Sequence, residues 1–225
     1  MIDQLIIGDK ASYDDFSASV AERKPPNPPK KKSIKEKVPF SNVTHDFSAI
    51  NGEIYWEERE LEYTFEILAD TPEELERLRM AFTNWVNGVT SQDIFDPYIP
   101  DYHFNGTCEN VDYKDDESLF KTTVTVKFLA YPYQIANEPK IYEFTISANS
   151  EISADIVNSS SHRINPVFYS TGAITLVIDD TAYSIGAGET KDNTFFLKAG
   201  VNAAKIQNTS GTACTLTVSF IEEMF

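Results

Sequence analysis

The chain has 225 residues, enough to bury one large core or two modest ones. Its 35 Asp and Glu against 19 Lys and Arg give a formal net charge of −16, and such a body repels the phosphates of nucleic acid. Cys108 and Cys214 lie far apart with no CxxC pair, so a zinc or redox motif has no support, and each reads as a small apolar strand residue.

The first residues, MIDQLIIGDK, contain a short strand at Leu5 to Ile7 and no basic-then-apolar leader, and no stretch approaches the ~18 apolar residues of a membrane span. The expectation is a soluble protein made in a cytoplasm, in which the four Asn-X-Ser/Thr sequons carry no weight. A second apolar stretch surrounds Tyr13 and Phe16. Arg23 to Lys37 then reads RKPPNPPKKKSIKEK, with seven cationic residues, one acid and four prolines. Proline lacks an N–H donor and fixes φ, which bars the run from a helix interior or a central strand. It reads as an exposed, stiff, extended arm. Its charge is opposite to that of the remaining body, so it suits the acidic surface of a neighbouring copy.

A polar loop covers Val38 to Asn51. Glu53 to Leu68 alternates Ile54, Trp56, Leu61, Tyr63, Phe65 and Ile67, predicting one half-buried strand or two that meet at Glu57–Glu60. A helix is predicted over 71–87. Thr71-Pro72-Glu73-Glu74 forms a capping box with Pro at the first helical position. Leu75, Leu78, Phe82, Trp85 and Val86 follow at helical spacing, and Gly88 is the stop. Strand signals return at Asp101 to Asn110, then an acidic hairpin tip at Asp112–Glu117, then KTTVTVKFL (Lys121 to Leu129), ended by Tyr131-Pro132-Tyr133.

A domain boundary is expected near Asn137–Pro139, giving domains 1–137 and 138–225. Beyond it, apolar runs at 140–147, 151–157, 164–170, 173–179, 181–185, 193–198, 201–207 and 213–221 are short, β-branched and separated by Asn, Ser, Gly and Asp turns. Eight such strands describe a β-sandwich of jelly-roll type. The fold class is mainly β: an N-terminal β-domain with one packed helix and an extended arm, then a C-terminal β-sandwich, jelly-roll or galectin-like.

Chemistry is sparse. His45, His103 and His162 lack metal-ligand spacing, and no nucleophile elbow, phosphate loop or dinucleotide fingerprint is present. The acidic clusters Asp115-Asp116-Glu117 and Asp179-Asp180 could hold calcium or serve as paired carboxylates. They sit between strands, where Asp is common for backbone reasons. No catalytic residue, cofactor or metal is assigned. In the sandwich, adjacent Phe195 and Phe196 must point to opposite faces of a strand, so one leaves the interior. Tyr169 and Phe196 are the candidate ligand or partner surface.

The segment Val38 to Ile67 resembles the opening of siphophage distal tail proteins. In that family a Lys/Pro loop leads into Val-Pro, an Asp-hydrophobe-Ser, a Gly, a Tyr and an Arg in an alternating strand. The matching residues are Val38-Pro39, Asp46-Phe47-Ser48, Gly52, Tyr55 and Arg59, followed by Leu61, Tyr63 and Phe65. The glycine usual after Val-Pro is replaced by Phe40. The resemblance spans about residues 1–137 and implies a structural virion protein. Six copies of the first domain would form a ring continuing the tail tube, and the sandwich would lie outside as a platform. Implied partners are other copies of the chain, the tail tube on one side and a fibre or lysin protein on the other, with DNA only passing through the lumen, which the net charge alone predicts to be acidic and to repel it. The expected interface residues are Lys30, Lys31, Lys32, Val38, Phe40, Tyr55 and Arg59. The alternative is a carbohydrate-binding adaptor that docks on a cell-wall polymer through its sandwich.

Overall fold

The computed structural model describes residues 3–37, 40, 42–49, 54–114 and 120–225. The chain is mainly β and divides into two compact units, 1–134 joined by Phe225, and Ile135–Met224.

The first unit contains β1 (Ile6–Ile7), β2 (Lys10–Ala11), α1 (Ser12–Phe16), β3 (Ala18–Lys24), β4 (Lys35–Lys37), β5 (Thr44–Asp46), β6 (Arg59–Leu68), α2 (Pro72–Asn87), β7 (Gln92–Phe95), β8 (Tyr102–Lys114) and β9 (Lys121–Ala130). Its main sheet runs β2-β1-β7-β8-β9-β6-β3. The sheet curls back on itself: the Val20 N–H on the outer strand β3 donates to the Asp3 carbonyl, just ahead of β1, at 2.9 Å. The strict alternation of β6 and β9 places Leu61, Tyr63, Phe65 and Ile67 opposite Val124, Val126 and Phe128 on one buried face. Across this face lies α2, contributing Leu75, Leu78, Phe82 and Val86. The Phe82 ring meets Phe65 edge-on at 5.2 Å. Each such side chain, fully buried, contributes about 1.5–3 kcal/mol.

The helix begins as its sequence predicts, with the Thr71 hydroxyl accepting from the Glu74 N–H at 3.1 Å. It stops at Gly88, which keeps a right-handed φ of −79°, so this stop does not depend on glycine's access to positive φ. The apolar stretch around Tyr13 and Phe16 is the short helix α1. Phe16 from it stacks on Trp85 of α2 at 4.7 Å.

One expectation is corrected here. Arg23 and Lys24 are not part of a free arm, because they close β3 against β6. The Arg23 Nε–H donates to Asp96 Oδ2 at 2.6 Å.

After β10 (Gln134–Ala136) the second unit contains β11 (Lys140–Ile146), β12 (Ser150–Asn158), β13 (Val167–Ser170), β14 (Ile174–Ile178), β15 (Thr181–Ile185), β16 (Gly188–Lys191), β17 (Gly200–Asn208), β18 (Cys214–Phe220) and β19 (Glu223–Met224). Two antiparallel sheets, β11-β18-β13-β16 and β12-β17-β14-β15, enclose a core of Ile146, Phe168, Leu176, Phe195, Ile206, Leu216 and Val218. Numbered from β11, these orders are 1-8-3-6 and 2-7-4-5, the two interleaved Greek keys of a jelly roll.

The strand expected at 193–198 is absent. The sixth strand is β16, whose residues Gly188-Glu189-Thr190-Lys191 carry no apolar alternation because it is a sheet edge. Phe195 and Leu197 are buried without belonging to a named strand. They plug the sandwich from a loop held by the Ile164–Leu197 bridge and by the Asn158 amide of β12, which donates to the Leu197 carbonyl.

Candidate interaction surface

The proline-rich segment is anchored on its own chain. Pro29 is buried, and beside it the backbone of Lys30 to Lys32 pairs with Tyr55 to Glu57. Lys32 N–H donates to the Tyr55 carbonyl and Glu57 N–H to the Lys30 carbonyl, both at 2.8 Å. The Lys31 ammonium lies 5.7 Å from the Trp56 ring centre. Further out, β4 pairs with β5, placing Lys35 opposite Asp46. The Asp-hydrophobe-Ser motif buckles the base of this ribbon. Asp46 Oδ1 accepts the Ser48 N–H, and the Ser48 hydroxyl accepts the Ile34 N–H, both at 2.9 Å. Those bonds to Ser48 hold the Asp46 carboxyl below its ordinary value.

The ribbon that results is unusual in what it leaves in water. Ile34, Phe40, Val43, Phe47, Ile54 and Tyr55 are all exposed. Phe40 is fully so, and it adopts a φ of 63°. That left-handed conformation suits glycine and strains a bulky L residue. The turn therefore keeps a glycine-like backbone while displaying a phenyl ring. Lys30, Lys31, Lys32, Lys35 and Lys37 are exposed as well and make no ion pair among the described residues. A ribbon that exposes this many apolar side chains has the composition of a docking surface.

Of the expected interface residues, the structure brings Lys30, Lys31, Lys32 and Tyr55 together and places Phe40 at the turn of the same ribbon. Val38 lies outside the described residues, as do Pro39, Gly52 and the acidic cluster at 115–117. Arg59 is not on the surface. It opens β6 facing inward and is 4% exposed. Ile34, Val43, Phe47 and Ile54 were not anticipated. Ile54 belongs to the alternation expected to form a half-buried strand, but the strand begins only at Arg59 and Ile54 is exposed; Ile34 and Val43 carry no periodic signal.

In the second unit Tyr169 is exposed on the outer face of β13, and its row across the sheet reads Glu143, Thr217, Tyr169, Glu189. Phe196 sits on the loop after β16, with the Arg163 guanidinium 4.2 Å from its ring centre, while Phe195 is buried. Asp179 and Asp180 have φ of 48° and 60° and form the two-residue turn between β14 and β15, the hairpin geometry in which Asp is favoured. Lys198 Nζ pairs with the Asp179 carboxylate at 2.8 Å. Asn158 and Asn208, two of the sequon residues, are wholly buried and bonded to backbone carbonyls. Among the described residues no cluster of His, Cys, Asp and Glu could hold a metal ion. Open depressions of about 310 and 260 Å³ on the first unit gather mixed linings around Tyr113 and Pro97, without convergent catalytic groups.

The first unit is a curled sheet carrying α2 and a basic ribbon, and the second is a jelly roll. Of known structures, the chain is similar over its whole length to SPP1 Dit (gp 19.1), described as a paradigm of the hub adsorption apparatus in phages infecting Gram-positive bacteria. The TM-score is 0.71, with 14% identity and 100% of both chains covered. Two structures of the phage P2 baseplate in its activated conformation, with Ca and with Sr, align at 10% identity. They cover 97% and 98% of this chain and 98% of each of theirs, with TM-scores of 0.41 and 0.42. No family model matches the sequence, and no curated protein matches it. At this level of identity the likeness to SPP1 Dit establishes a shared fold.

Proposed function

We propose that this chain is a structural component of a phage tail tip, a distal tail protein whose copies form a hexameric ring joining the tail tube to the fibre or receptor-binding apparatus. The observation that carries this reading is the full-length likeness in fold to a hub adsorption protein. The ribbon supports it with a surface suited to a neighbouring copy, in which Lys30, Lys31 and Lys32 meet carboxylates and Phe40 and Tyr55 meet apolar side chains. Exposed ion pairs contribute only about 0–1 kcal/mol each. Burial of the ribbon's apolar residues, at about 25 cal/mol per Å², therefore supplies most of the ring energy. The acidic remainder of the chain lines or surrounds a lumen through which DNA passes without sticking. In this reading the protein performs no catalysis and resides in the virion tail after synthesis in the host cytoplasm.

The test is solution mass by light scattering at low and high salt. One chain weighs 25.3 kDa, so a hexamer weighs about 150 kDa. A salt-sensitive hexamer supports the reading, and Lys30→Glu, Lys31→Glu and Lys32→Glu together should shift it toward monomer. A wild-type monomer at every concentration, with or without a tail-tube partner, refutes it.

A second reading rests on Tyr169. An exposed aromatic between Thr217 and Glu189 on a sheet face has the composition of a sugar-stacking site. Binding of a cell-wall polysaccharide lost on Tyr169→Ala would favour an adaptor role for the sandwich.

A further inference from the structure

The first unit carries an open apolar hollow at the end of its sheet where β3 passes into the ribbon. It measures about 260 Å³ and is walled by Ile6 of β1, Phe95 of β7, Tyr102 of β8, and Pro97, Ile99 and Pro100 between β7 and β8. Ile6 and Phe95 are register partners, so their side chains lie side by side across the β1–β7 pair. Ile6 is exposed and Phe95 and Ile99 are half-buried, which leaves their apolar surface facing water. The walls are fixed within the unit itself. The Ile99 N–H donates to the Asp96 carbonyl at 3.0 Å and the Tyr102 N–H to the Ile99 carbonyl at 3.3 Å. The Tyr98 hydroxyl donates to the Asp3 carboxylate at 2.6 Å, and Pro97 and Pro100 each have φ locked by their rings.

The charge around this hollow has one sign. Asp3 and Asp96 line it without a basic side chain, and exposed Asp101 stands between the wall residues Pro100 and Tyr102. Asp96 is taken up by Arg23 and Tyr63, which leaves Asp3 and Asp101 as the acidic rim. The depression around Tyr113 is the contrast. It gathers Glu76, Arg79, Thr83 and Asn84 beside Met80, a polar lining that sets a cation in the path of any lysine-rich partner. Phe40 supplies the matching shape. Its ring is fully exposed on a left-handed backbone, so the strain is offset by no packing within its own chain, the mark of a functional position. Lys35 and Lys37 are exposed on the same ribbon. A cavity of about 150 Å³ accepts a benzene ring, so this hollow has room for a phenyl group.

We propose that the hollow is a socket for the Phe40 ring of a neighbouring copy of this chain, with that copy's Lys35 and Lys37 set against Asp3 and Asp101 at the rim. An apolar centre inside a charged rim is the usual anatomy of a protein interface, and the rim charges fix its register. Knob and socket occupy different surfaces of one chain. The Arg23 guanidinium, 5.3 Å from the Tyr98 ring centre, marks the socket at the root of the ribbon, and Phe40 stands at the turn between β4 and β5. The contact is therefore head-to-tail, the kind that builds a ring when its rotation closes. This inference rests on the ring reading above and names the surface on which the ribbon lands.

The test places the photo-crosslinking residue p-benzoylphenylalanine at position 40 of the full-length chain. Isotope-labelled and unlabelled copies are mixed, assembled, irradiated and digested, and the joined peptides are identified by mass. Adducts should link a labelled copy to an unlabelled one and fall within residues 3–6 or 95–102, which hold the socket. In light scattering, Ile6→Lys should weaken assembly by about tenfold or more. Met80→Lys, which puts the same charge beside the Tyr113 depression, should leave assembly unchanged. A ring whose adducts map elsewhere, or within one copy, overturns the socket and leaves the ring reading standing. Assembly of Ile6→Lys at wild-type strength, or equal weakening by both lysine variants, overturns the socket as well. If Ile6→Lys fails to fold, the adduct map decides alone. A wild-type chain that stays monomeric at every concentration, with and without a tail-tube partner, brings down both the ring reading and the socket.

Discussion

Asp96 ties together three parts of the first unit that are remote in sequence, and its replacement by Asn should be among the most costly isosteric changes there. Its side chain is wholly buried. Oδ2 accepts the Nε–H of Arg23 on β3 at 2.6 Å and the hydroxyl of Tyr63 on β6 at 2.9 Å, while Oδ1 accepts the Tyr98 N–H at 2.9 Å. Burial, and then the neighbouring Asp96 charge, hold the Tyr63 hydroxyl firmly protonated, so it remains a donor at any ordinary pH. Asp96→Asn can keep the bond to Tyr98, but it turns an amide toward the Arg23 donor and leaves that guanidinium without its charge partner. Hydrogen bonds to charged groups contribute about 1.5–3 kcal/mol, and breaking a buried pair costs about 3–5 kcal/mol. Because the Arg23 side chain retains 17% exposure and some hydration, the expected loss is about 2–4 kcal/mol. Urea unfolding followed by tryptophan emission reads this directly, since Trp56 and Trp85 both lie in the first unit. Combining Asp96→Asn with Arg23→Met should cost less than the sum of the two single changes. A loss below about 0.5 kcal/mol, the range of ordinary surface substitutions, would refute the assignment of Asp96 as the tie between β3, β6 and the loop after β7.

The remaining predictions concern other parts of the chain. Asn208 donates through Nδ2 to the carbonyls of Ser147 at 3.0 Å and Thr212 at 2.8 Å, and its Oδ1 accepts the Ser210 N–H. Asn208→Ala should therefore destabilise the jelly roll by about 2–3 kcal/mol, read as faster amide exchange along β12 and β17. Asp180→Gly should stabilise the same unit by about 0.5–1 kcal/mol, because Asp180 holds positive φ in a hairpin turn that favours Asp-Gly, and the pair of Asp179 with Lys198 is kept. Equal or lower stability in chemical denaturation would contradict the turn assignment. Phe40→Gly should leave monomer stability within about 1 kcal/mol, since relief of left-handed strain offsets glycine's larger chain entropy, while weakening assembly in light scattering. For pH, burial works against the Glu222 carboxylate, but the Lys140 ammonium and the Ser159 N–H outweigh it and hold Glu222 below its ordinary value of 4.5. Its contribution is present above that pH and lost as pH falls through the lowered native value. Burial likewise works against the Lys140 charge, but Glu222 outweighs it and raises the Lys140 pKa above 10.5, so its contribution persists below 10.5 and fades as pH rises through the raised value. Glu222→Gln should flatten both limbs in a stability–pH series of the jelly roll.

Much of the fold was legible because its signals are local. The period-two runs of β6 and β9, and the capping box and apolar stripe of α2, are written in consecutive residues, each consistent with its neighbours. The short helix α1 was not legible as a helix: five residues show no period, and its stability comes from Phe16 stacking on Trp85, far away in sequence. The run 193–198 shows the opposite error. Apolar residues there signal burial, and only the surrounding sandwich decides that Phe195 and Leu197 are buried as plugs rather than as ladder residues, while polar Gly188–Lys191 forms the strand.

The basic ribbon divides in the same way. Composition by itself marked the segment from Arg23 to Lys37 as unfit for a helix or sheet interior and opposite in charge to its surroundings, because proline chemistry and formal charge belong to each residue wherever it sits. Sequence could not assign Arg23 to a buried pair with Asp96, join Lys30–Lys32 to Tyr55–Glu57, or turn Arg59 inward. Those outcomes depend on which strands become neighbours and in what register, and register is set by the packing of the whole unit.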